Sequence, residues 1–205
     1  MNRDRGSSLV LAIISVALLS ALGLALALVT STEMMIAAAY AEGQELSYAA
    51  EAGLEIAAQE LRRVPDWNDV LAGAVRSTWI DDGSSPTLSE ATNIANCGKT
   101  TWCSAAEMDA VSDLRPWGTN NPRWQLFAFG ELNRGFVVAW VGDDAAENDG
   151  DPLRDGAAGL SPGAGIVAVR SEAFGVGGGH KVVESTVRRT EGVAGITRLS
   201  WAQIR

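Results

Sequence analysis

The sequence predicts an α+β fold in which one long N-terminal helix, transmembrane over its first half, packs on a C-terminal antiparallel β-sheet. Three observations support this. An uncharged run of 21 residues extends from Leu9 to Val29, a helical apolar pattern continues from there to Pro65, and β-rich runs begin at Trp124. Short connections between most of these runs favour antiparallel pairing. A long helix followed by such a sheet is an α+β arrangement.

The uncharged run is long enough to cross a membrane. As a helix it would measure about 32 Å, against about 30 Å for the hydrocarbon core of a bilayer. Arg3 and Arg5 precede the run, and the next basic residue is Arg62. Because basic residues stay on the cytoplasmic side, we expect a single-pass protein of a bacterial inner membrane, with a cytoplasmic N-terminus and a periplasmic C-terminal domain.

Beyond the run, apolar and small residues recur every three or four positions. They are Ile36, Tyr40, Gly43, Leu46, Ala50, Leu54, Ala57 and Leu61. On a helix they form one stripe, which we expect to dock on the sheet of the same chain. Pro65 disfavours helical geometry in the residue before it, so we predict one helix over residues 8–63, more than about 80 Å long.

The remaining segments are assigned from strand and turn patterns. Residues 66–123 are irregular, apart from a short helix over Ser104–Leu114 that begins with a capping box of Ser104 and Glu107. Residues 142–163 form a long loop, and Trp124, Trp140 and Trp201 are expected in the core. The predicted strands are Trp124–Phe129, Gly135–Val141, Gly165–Phe174, Lys181–Thr190 and Ile196–Ile204.

Charge and cysteine content narrow the functional classes. The formal net charge of −9 gives no electrostatic basis for binding nucleic acid. Cys97 and Cys103 are the two cysteines, and an extracytoplasmic location permits a disulfide between them. We favour this disulfide over two free thiols, while a structural zinc site would need further ligands.

The sequence offers no convincing catalytic site. Residues 159–163 match the G-x-S-x-G nucleophile motif, but the residue after the serine is Pro162, which has no N–H for an oxyanion. His180 is the only histidine and follows three glycines, a pattern typical of a hairpin turn. We therefore expect a protein that is not an enzyme.

One acidic loop is a candidate calcium site. Its candidate ligands are Asp143, Asp144, Glu147, Asp149 and Asp151, and Asn148 and Asp155 lie in the same stretch. Calcium takes six to eight oxygen ligands. An EF-hand register fails, because it would place Ala145 first and Gly156 twelfth. A weak calcium loop and a solvated acidic turn both remain open, and no other cofactor is expected.

The N-terminal third resembles a known family. Arg5-Gly6-Ser7-Ser8-Leu9-Val10-Leu11-Ala12, the apolar run, and the later Ala49-Ala50-Glu51-Ala52-Gly53-Leu54 are similar to PilX-type minor pilins. The resemblance implies a type IV pilin-like fold, cleavage by prepilin peptidase between Gly6 and Ser7, and methylation of the new N-terminus. It also implies three parts: a leader over residues 1–6, a pilin-like helix over 7–64 and a globular domain over 65–205.

Leu11 departs from the pattern of major pilins, which carry glutamate there. The lack of glutamate is similar to PilX-type proteins and to the K-type pseudopilin of type II secretion. The resemblance thus implies a structural subunit in the initiation or tip complex of a type IV pilus. Its partners would be other minor pilins and the pilus assembly machinery. The alternatives are a type II secretion pseudopilin and a signal-anchored periplasmic binding or adhesion domain.

Overall fold

The computed structural model describes residues 4–79, 88–132, 135–147, 150–156, 164–190 and 195–204. The chain divides into two compact units, residues 1–42 and residues 43–205. Helix α1, Asp4–Leu61, is continuous through both. The predicted long N-terminal helix is therefore confirmed, and its observed end lies two residues before the predicted one.

Helix α1 is exposed on all sides in the first unit. Every side chain from Ser7 to Ala41 is exposed, including the whole uncharged run. The hydroxyl group of Thr30, just after the run, forms a hydrogen bond within the helix: Thr30 Oγ1 donates to the Leu26 carbonyl at 2.9 Å. In the described part of the chain one helical stretch, Ser7–Leu61, is long and apolar enough by length and composition to cross a membrane. This is compatible with an inner-membrane anchor.

In the second unit, α1 packs on one face of the sheet. Its buried side chains are Leu46, Ala49, Ala50, Leu54, Ala57 and Leu61. The predicted stripe is thus confirmed from Leu46 onward. Its first members do not belong to the core, because Ile36 is 64% and Tyr40 70% exposed. The Trp67 indole donates to the carbonyl of Leu61 at 3.1 Å and so satisfies a carbonyl at the helix end.

The sheet is antiparallel throughout, as predicted. Its strands are β1 (Gln125–Leu132), β2 (Gly135–Asp143), β3 (Ile166–Gly175), β4 (His180–Thr190), β5 (Gly195–Arg198) and β6 (Ala202–Gln203). Strands β1 to β5 pair in sequence order, and β6 also pairs with β4. The last predicted strand is split in two, because the N–H groups of Leu199 and Ser200 both point to the Thr186 carbonyl. Trp201, in this break, is 46% exposed, contrary to the prediction.

Short helices follow α1 in the chain: α2 is Asn68–Leu71, α3 is Leu88–Cys97 and α4 is Ala105–Asp113. Helix α2 packs on the same face of the sheet as α1, since Val70 and Leu71 belong to the same buried cluster, whereas α3 covers part of the opposite face. Helix α4 confirms the capping box, since Ser104 and Glu107 exchange both hydrogen bonds. Helix α3 was not predicted, and tertiary contacts hold it: Asn96 bonds to the Trp124 N–H and carbonyl at 2.8 and 2.9 Å. Trp124 and Trp140 are buried beneath it, as predicted.

Candidate functional site

The predicted processing site lies in the first turns of helix α1. Gly6 and Ser7 fall inside the helix, which begins at Asp4. Ser7 is exposed, and the side chains of residues 4–6 lie outside the described ones. Leu11, which stands where major pilins carry glutamate, is 62% exposed on this apolar helix. Cleavage between Gly6 and Ser7 stays a prediction.

Gly53 is the point where α1 lies closest to the sheet. A Cβ at this position would overlap Ser171 Oγ on β3 and Val137 Cγ1 on β2. Both of those residues are fully buried. Only glycine lets the helix backbone approach the sheet this closely. The glycine of the Ala-Ala-Glu-Ala-Gly run therefore has a packing role in this fold.

The carboxylate of Glu60 connects the C-terminal end of α1 to residues 77 and 78 by hydrogen bonds. Glu60 accepts hydrogen bonds from Ser77 Oγ at 3.2 Å, from the Thr78 N–H at 3.1 Å and from Thr78 Oγ1 at 2.8 Å. Arg63 adds an ion pair at 2.5 Å. Burial raises the pKa of Glu60, but the hydrogen bonds from Thr78 and Ser77 outweigh it, so the pKa is lowered from 4.5.

Arg189 connects β4 to the segment that follows α1. Its guanidinium donates to the Pro65 carbonyl at 2.5 Å and to the Val64 carbonyl at 2.9 Å. It also lies over the Trp67 ring, 4.5 Å from the centroid. Carbonyls past the end of a helix lack intrahelical partners, so these bonds fix the exit of the chain from α1.

The two cysteines are joined in a disulfide, as predicted. Cys97 ends α3, and Cys103 precedes Ser104, the N-terminal cap of α4. Their Cα atoms are 6.2 Å apart, within the usual range for a disulfide. The bridge therefore joins two helices on the outer side of the sheet.

Three carboxylates converge where β2 leaves the sheet. Oxygens of Asp143, Glu147 and Asp155 lie within 4.8 Å of one another. Asp143 and Glu147 are 1% exposed and Asp155 is 9% exposed. Glu147 accepts from the Gly156 N–H at 3.0 Å, and Asp155 accepts from the Gly165 N–H at 2.8 Å. Burial raises the pKa of Asp155 despite these backbone hydrogen bonds.

This cluster contains two of the five predicted calcium ligands, Asp143 and Glu147. Asp144 and Asp151 instead accept from nearby backbone, from the N–H groups of Ala146 and Leu153, both at 3.2 Å. Asp149 lies outside the described residues. The third member, Asp155, was in the predicted acidic stretch but not in the ligand set.

The cluster can hold a hard cation chemically. Buried carboxylates this close repel one another unless a proton or a cation compensates them, and carboxylate oxygens are the ligands that calcium prefers. Three side chains supply fewer than the six to eight oxygens that calcium takes, so backbone carbonyls or water would have to complete the shell. Calcium binding stays a prediction.

Comparison with protein families concerns the N-terminal helix. A family model described as PilX N-terminal matches residues 5–55. Residues 5–55 are therefore similar to the PilX N-terminal domain. The match confirms the resemblance and supports a PilX-type pilin, related to the type IV pilus. Comparisons with curated proteins and with solved structures found no match.

The region that matches the PilX N-terminal domain covers most of α1. It includes the junction of Gly6 and Ser7, the uncharged run and Gly53, whereas Glu60 and the whole sheet lie beyond it. The residues of the domain that reach the sheet are the buried ones from Leu46 to Leu54. The globular part is thus attached to the family domain through the packing of α1 on β2 and β3.

A buried polar network lies on the outer face of the sheet, outside the PilX N-terminal domain. Glu172, 2% exposed, bonds to Arg170 Nε and to His180 Nε2, both at 2.7 Å. Arg170 also pairs with Glu184 at 3.0 Å, and the His180 ring stacks on Phe174 with centroids 4.5 Å apart. His180 does lie next to the predicted hairpin turn, but sequence reasoning missed its partners. Alternation along β3 was the available signal, since Arg170, Glu172 and Phe174 share one face.

The pKa values of the two carboxyl groups in this network shift in opposite directions. Burial raises the pKa of Glu172, but the contacts with His180 and Arg170 outweigh it and the pKa is lowered. Burial raises the pKa of Glu184 against the effect of the same arginine. These contacts join β3 to β4, so we assign the network a structural role.

Proposed function

We propose that this chain is a minor pilin-like subunit that takes part in type IV pilus assembly, at initiation or in a tip complex. The observation that carries the proposal is that the two halves of α1 have different surroundings. Its first half is apolar, exposed on all sides and within the region that matches the PilX N-terminal domain. Its second half packs on the sheet of the globular domain. An apolar helix of this kind suits either lipid or a bundle of similar helices. The protein then acts by assembly and not by catalysis.

The proposed course has two stages. Prepilin peptidase removes residues 1–6 after Gly6 while the run Leu9–Val29 holds the chain in the inner membrane. The N-terminus then faces the cytoplasm, and the sheet domain faces the periplasm. In the second stage the subunit leaves the membrane, and the apolar half of α1 packs with the helices of other minor pilins. Leu11 suits a minor subunit, since a buried carboxylate would need a partner there.

Two alternatives differ from this proposal in a measurable way. A pseudopilin of type II secretion would be processed in the same manner but would be captured with components of that machine. A signal-anchored binding or adhesion domain would keep residues 1–6. Processing therefore separates the pilin class from the anchored class, and partner capture from membranes separates the two machines.

The first test is an intact mass measurement of the full chain co-expressed with prepilin peptidase. We expect loss of residues 1–6 in the wild type and an uncleaved chain in Gly6→Val. Gly23→Val is the matched control, because Gly23 is in the same helix with open space around it and should not affect cleavage. A wild-type chain that keeps its first six residues, or a Gly6→Val chain that loses them, overturns the proposal. Alkylation before and after reduction reports the Cys97–Cys103 disulfide on the same samples.

A further inference from the structure

A cavity opens between the loop that follows α2, helix α3 and the start of strand β1. Its volume is about 490 Å³, and ligand-binding cavities in proteins measure about 300–1,000 Å³. The other residues of the lining are glycine, alanine and leucine, and its polar residues are Arg76, Ser89, Thr92, Asn93 and Gln125. We call this feature the Arg76 cavity.

The charge of the Arg76 cavity is opposite to that of the chain. The chain carries a formal net charge of −9. Among the described residues that line the cavity, however, Arg76 is the one charged residue, and no aspartate or glutamate is present. The remaining polar residues of the lining carry hydroxyl or amide groups, which can donate hydrogen bonds. The cavity is therefore suited to a negatively charged ligand.

Two of the five polar side chains are already bonded within the protein. Thr92 Oγ1 accepts from the Trp140 indole at 3.1 Å, and the Asn93 amide donates to the Thr100 carbonyl at 3.3 Å. The polar side chains of the lining that form no hydrogen bond or ion pair with the described part of the chain are those of Arg76, Ser89 and Gln125. Their donors are available to a ligand.

Hydrogen bonds hold the backbone on both sides of Arg76. The Val75 N–H donates to the Asp69 carbonyl at 3.1 Å, and the Ser77 N–H donates to the Phe127 carbonyl of β1 at 2.8 Å. The exposed guanidinium is therefore carried by a segment that is fixed against the sheet. Such preorganisation reduces the conformational entropy that ligand binding would cost.

Gly73 allows the Gln125 amide to lie against the loop. Its φ is +71°, in the left-handed region that favours glycine. A Cβ at this position would lie 3.1 Å from Gln125 Oε1, closer than an ordinary van der Waals contact. The amide group of Gln125 is thus packed on the loop backbone at the cavity wall.

We propose that the Arg76 cavity binds a small molecule through a phosphate or carboxylate group of that molecule. The Arg76 guanidinium holds the group, and the Ser89 hydroxyl and the Gln125 amide are further donors. A guanidinium presents its N–H donors in a planar fork that matches the oxygens of both groups. The cavity is larger than either group, so the rest of the ligand lies against Leu88 and Leu126. Binding here is independent of the proposed role in pilus assembly, since no residue of the lining belongs to α1.

The test is a titration of the isotope-labelled full chain in detergent micelles with inorganic phosphate, followed by NMR. We expect saturable shifts of the Arg76 Nε–H signal and of the Gln125 side-chain amide signals, and sodium chloride at equal ionic strength should not reproduce them. Arg76→Gln should raise the dissociation constant, read from the Gln125 amide, by at least about tenfold, because a charge-assisted hydrogen bond is lost. Arg188→Gln is the matched control, being an exposed arginine on β4 outside the cavity, and should leave the dissociation constant unchanged.

A parallel titration with acetate distinguishes the two ligand groups. Saturable binding of phosphate or of acetate supports the proposal, and the anion that binds more tightly identifies the group. Three outcomes would overturn it: no saturation with either anion, the same shifts in sodium chloride, and equal dissociation constants for Arg76→Gln and the wild type. Equal unfolding temperatures of Arg76→Gln and the wild type without added anion show that lost binding does not come from misfolding.

Discussion

Replacing Gly53 by alanine tests how closely α1 lies on the sheet. Alanine is a better helix former than glycine by about 1 kcal/mol, so the change would stabilise an unobstructed helix. At this position the new methyl group would meet Ser171 Oγ and Val137 Cγ1, and both residues are fully buried. Overpacking a filled core costs about 1–3 kcal/mol. We therefore expect a net loss of about 0–2 kcal/mol in the free energy of unfolding.

Gly43→Ala is the matched control. Gly43 lies in the same helix, and nothing comes within 4 Å of a Cβ built there. This variant should gain about 0.5–1 kcal/mol from helix propensity. The two alanine variants should then differ by about 1–3 kcal/mol, since the propensity gain is common to both. For a chain of this size the difference corresponds to about 2–12 °C in the unfolding temperature.

The assay is thermal unfolding of the full chain in detergent micelles, followed by tryptophan fluorescence. Trp67 and Trp140 are at most 1% exposed and report on the loss of the core. Equal stabilisation by the two alanines would refute the close approach of α1 to β2 and β3. It would also remove the packing explanation for the glycine in the Ala-Ala-Glu-Ala-Gly run.

Two further predictions concern carboxylates. Glu60→Gln should cost about 1–2 kcal/mol at pH 7, with Glu55→Gln as an exposed control on the same helix. Because folding lowers the pKa of Glu60 from 4.5, its stabilisation is present above about pH 4.5 and lost as the pH falls through the folded-state pKa. The wild type should therefore lose more stability than Glu60→Gln in an acid series of melting curves, and parallel curves would contradict this. Calcium at 100 times its dissociation constant should add about 2.7 kcal/mol to unfolding, and Asp143→Asn or Asp155→Asn should abolish the gain. Asp151→Asn is the control outside the cluster, and melting curves identical in calcium and in chelator would refute calcium binding.

Periodicity and turn chemistry predicted most of the architecture. The charge-free run and the stripe from Leu46 to Leu61 are long, repeated signals, and α1 follows them closely. The capping box at Ser104 is a local signal that needs no distant partner, and α4 begins there. Such features can be predicted from the sequence because the residues that stabilise them are neighbours in the chain.

The features that were missed depend on distant partners. Helix α3 is polar along much of its length and is held by Asn96 and Thr92 binding to Trp124 and Trp140 of the sheet. Asp155 joins Asp143 only because the loop after β2 turns back to β3. Neither contact could be predicted from a regular spacing of residues, because the partners are far apart in the chain.

By itself the sequence determined the membrane-length helix, the resemblance of its N-terminal region to PilX-type pilins and the antiparallel pairing of the strands. These follow from composition, period and local turns, which act over a few residues. Only the tertiary structure decided that Gly53 touches the sheet, that Ile36 and Tyr40 stay outside the core and that the carboxylate of Asp155 joins those of Asp143 and Glu147. Contacts of that kind depend on which faces meet when the helix docks, and docking depends on the packing of the whole domain.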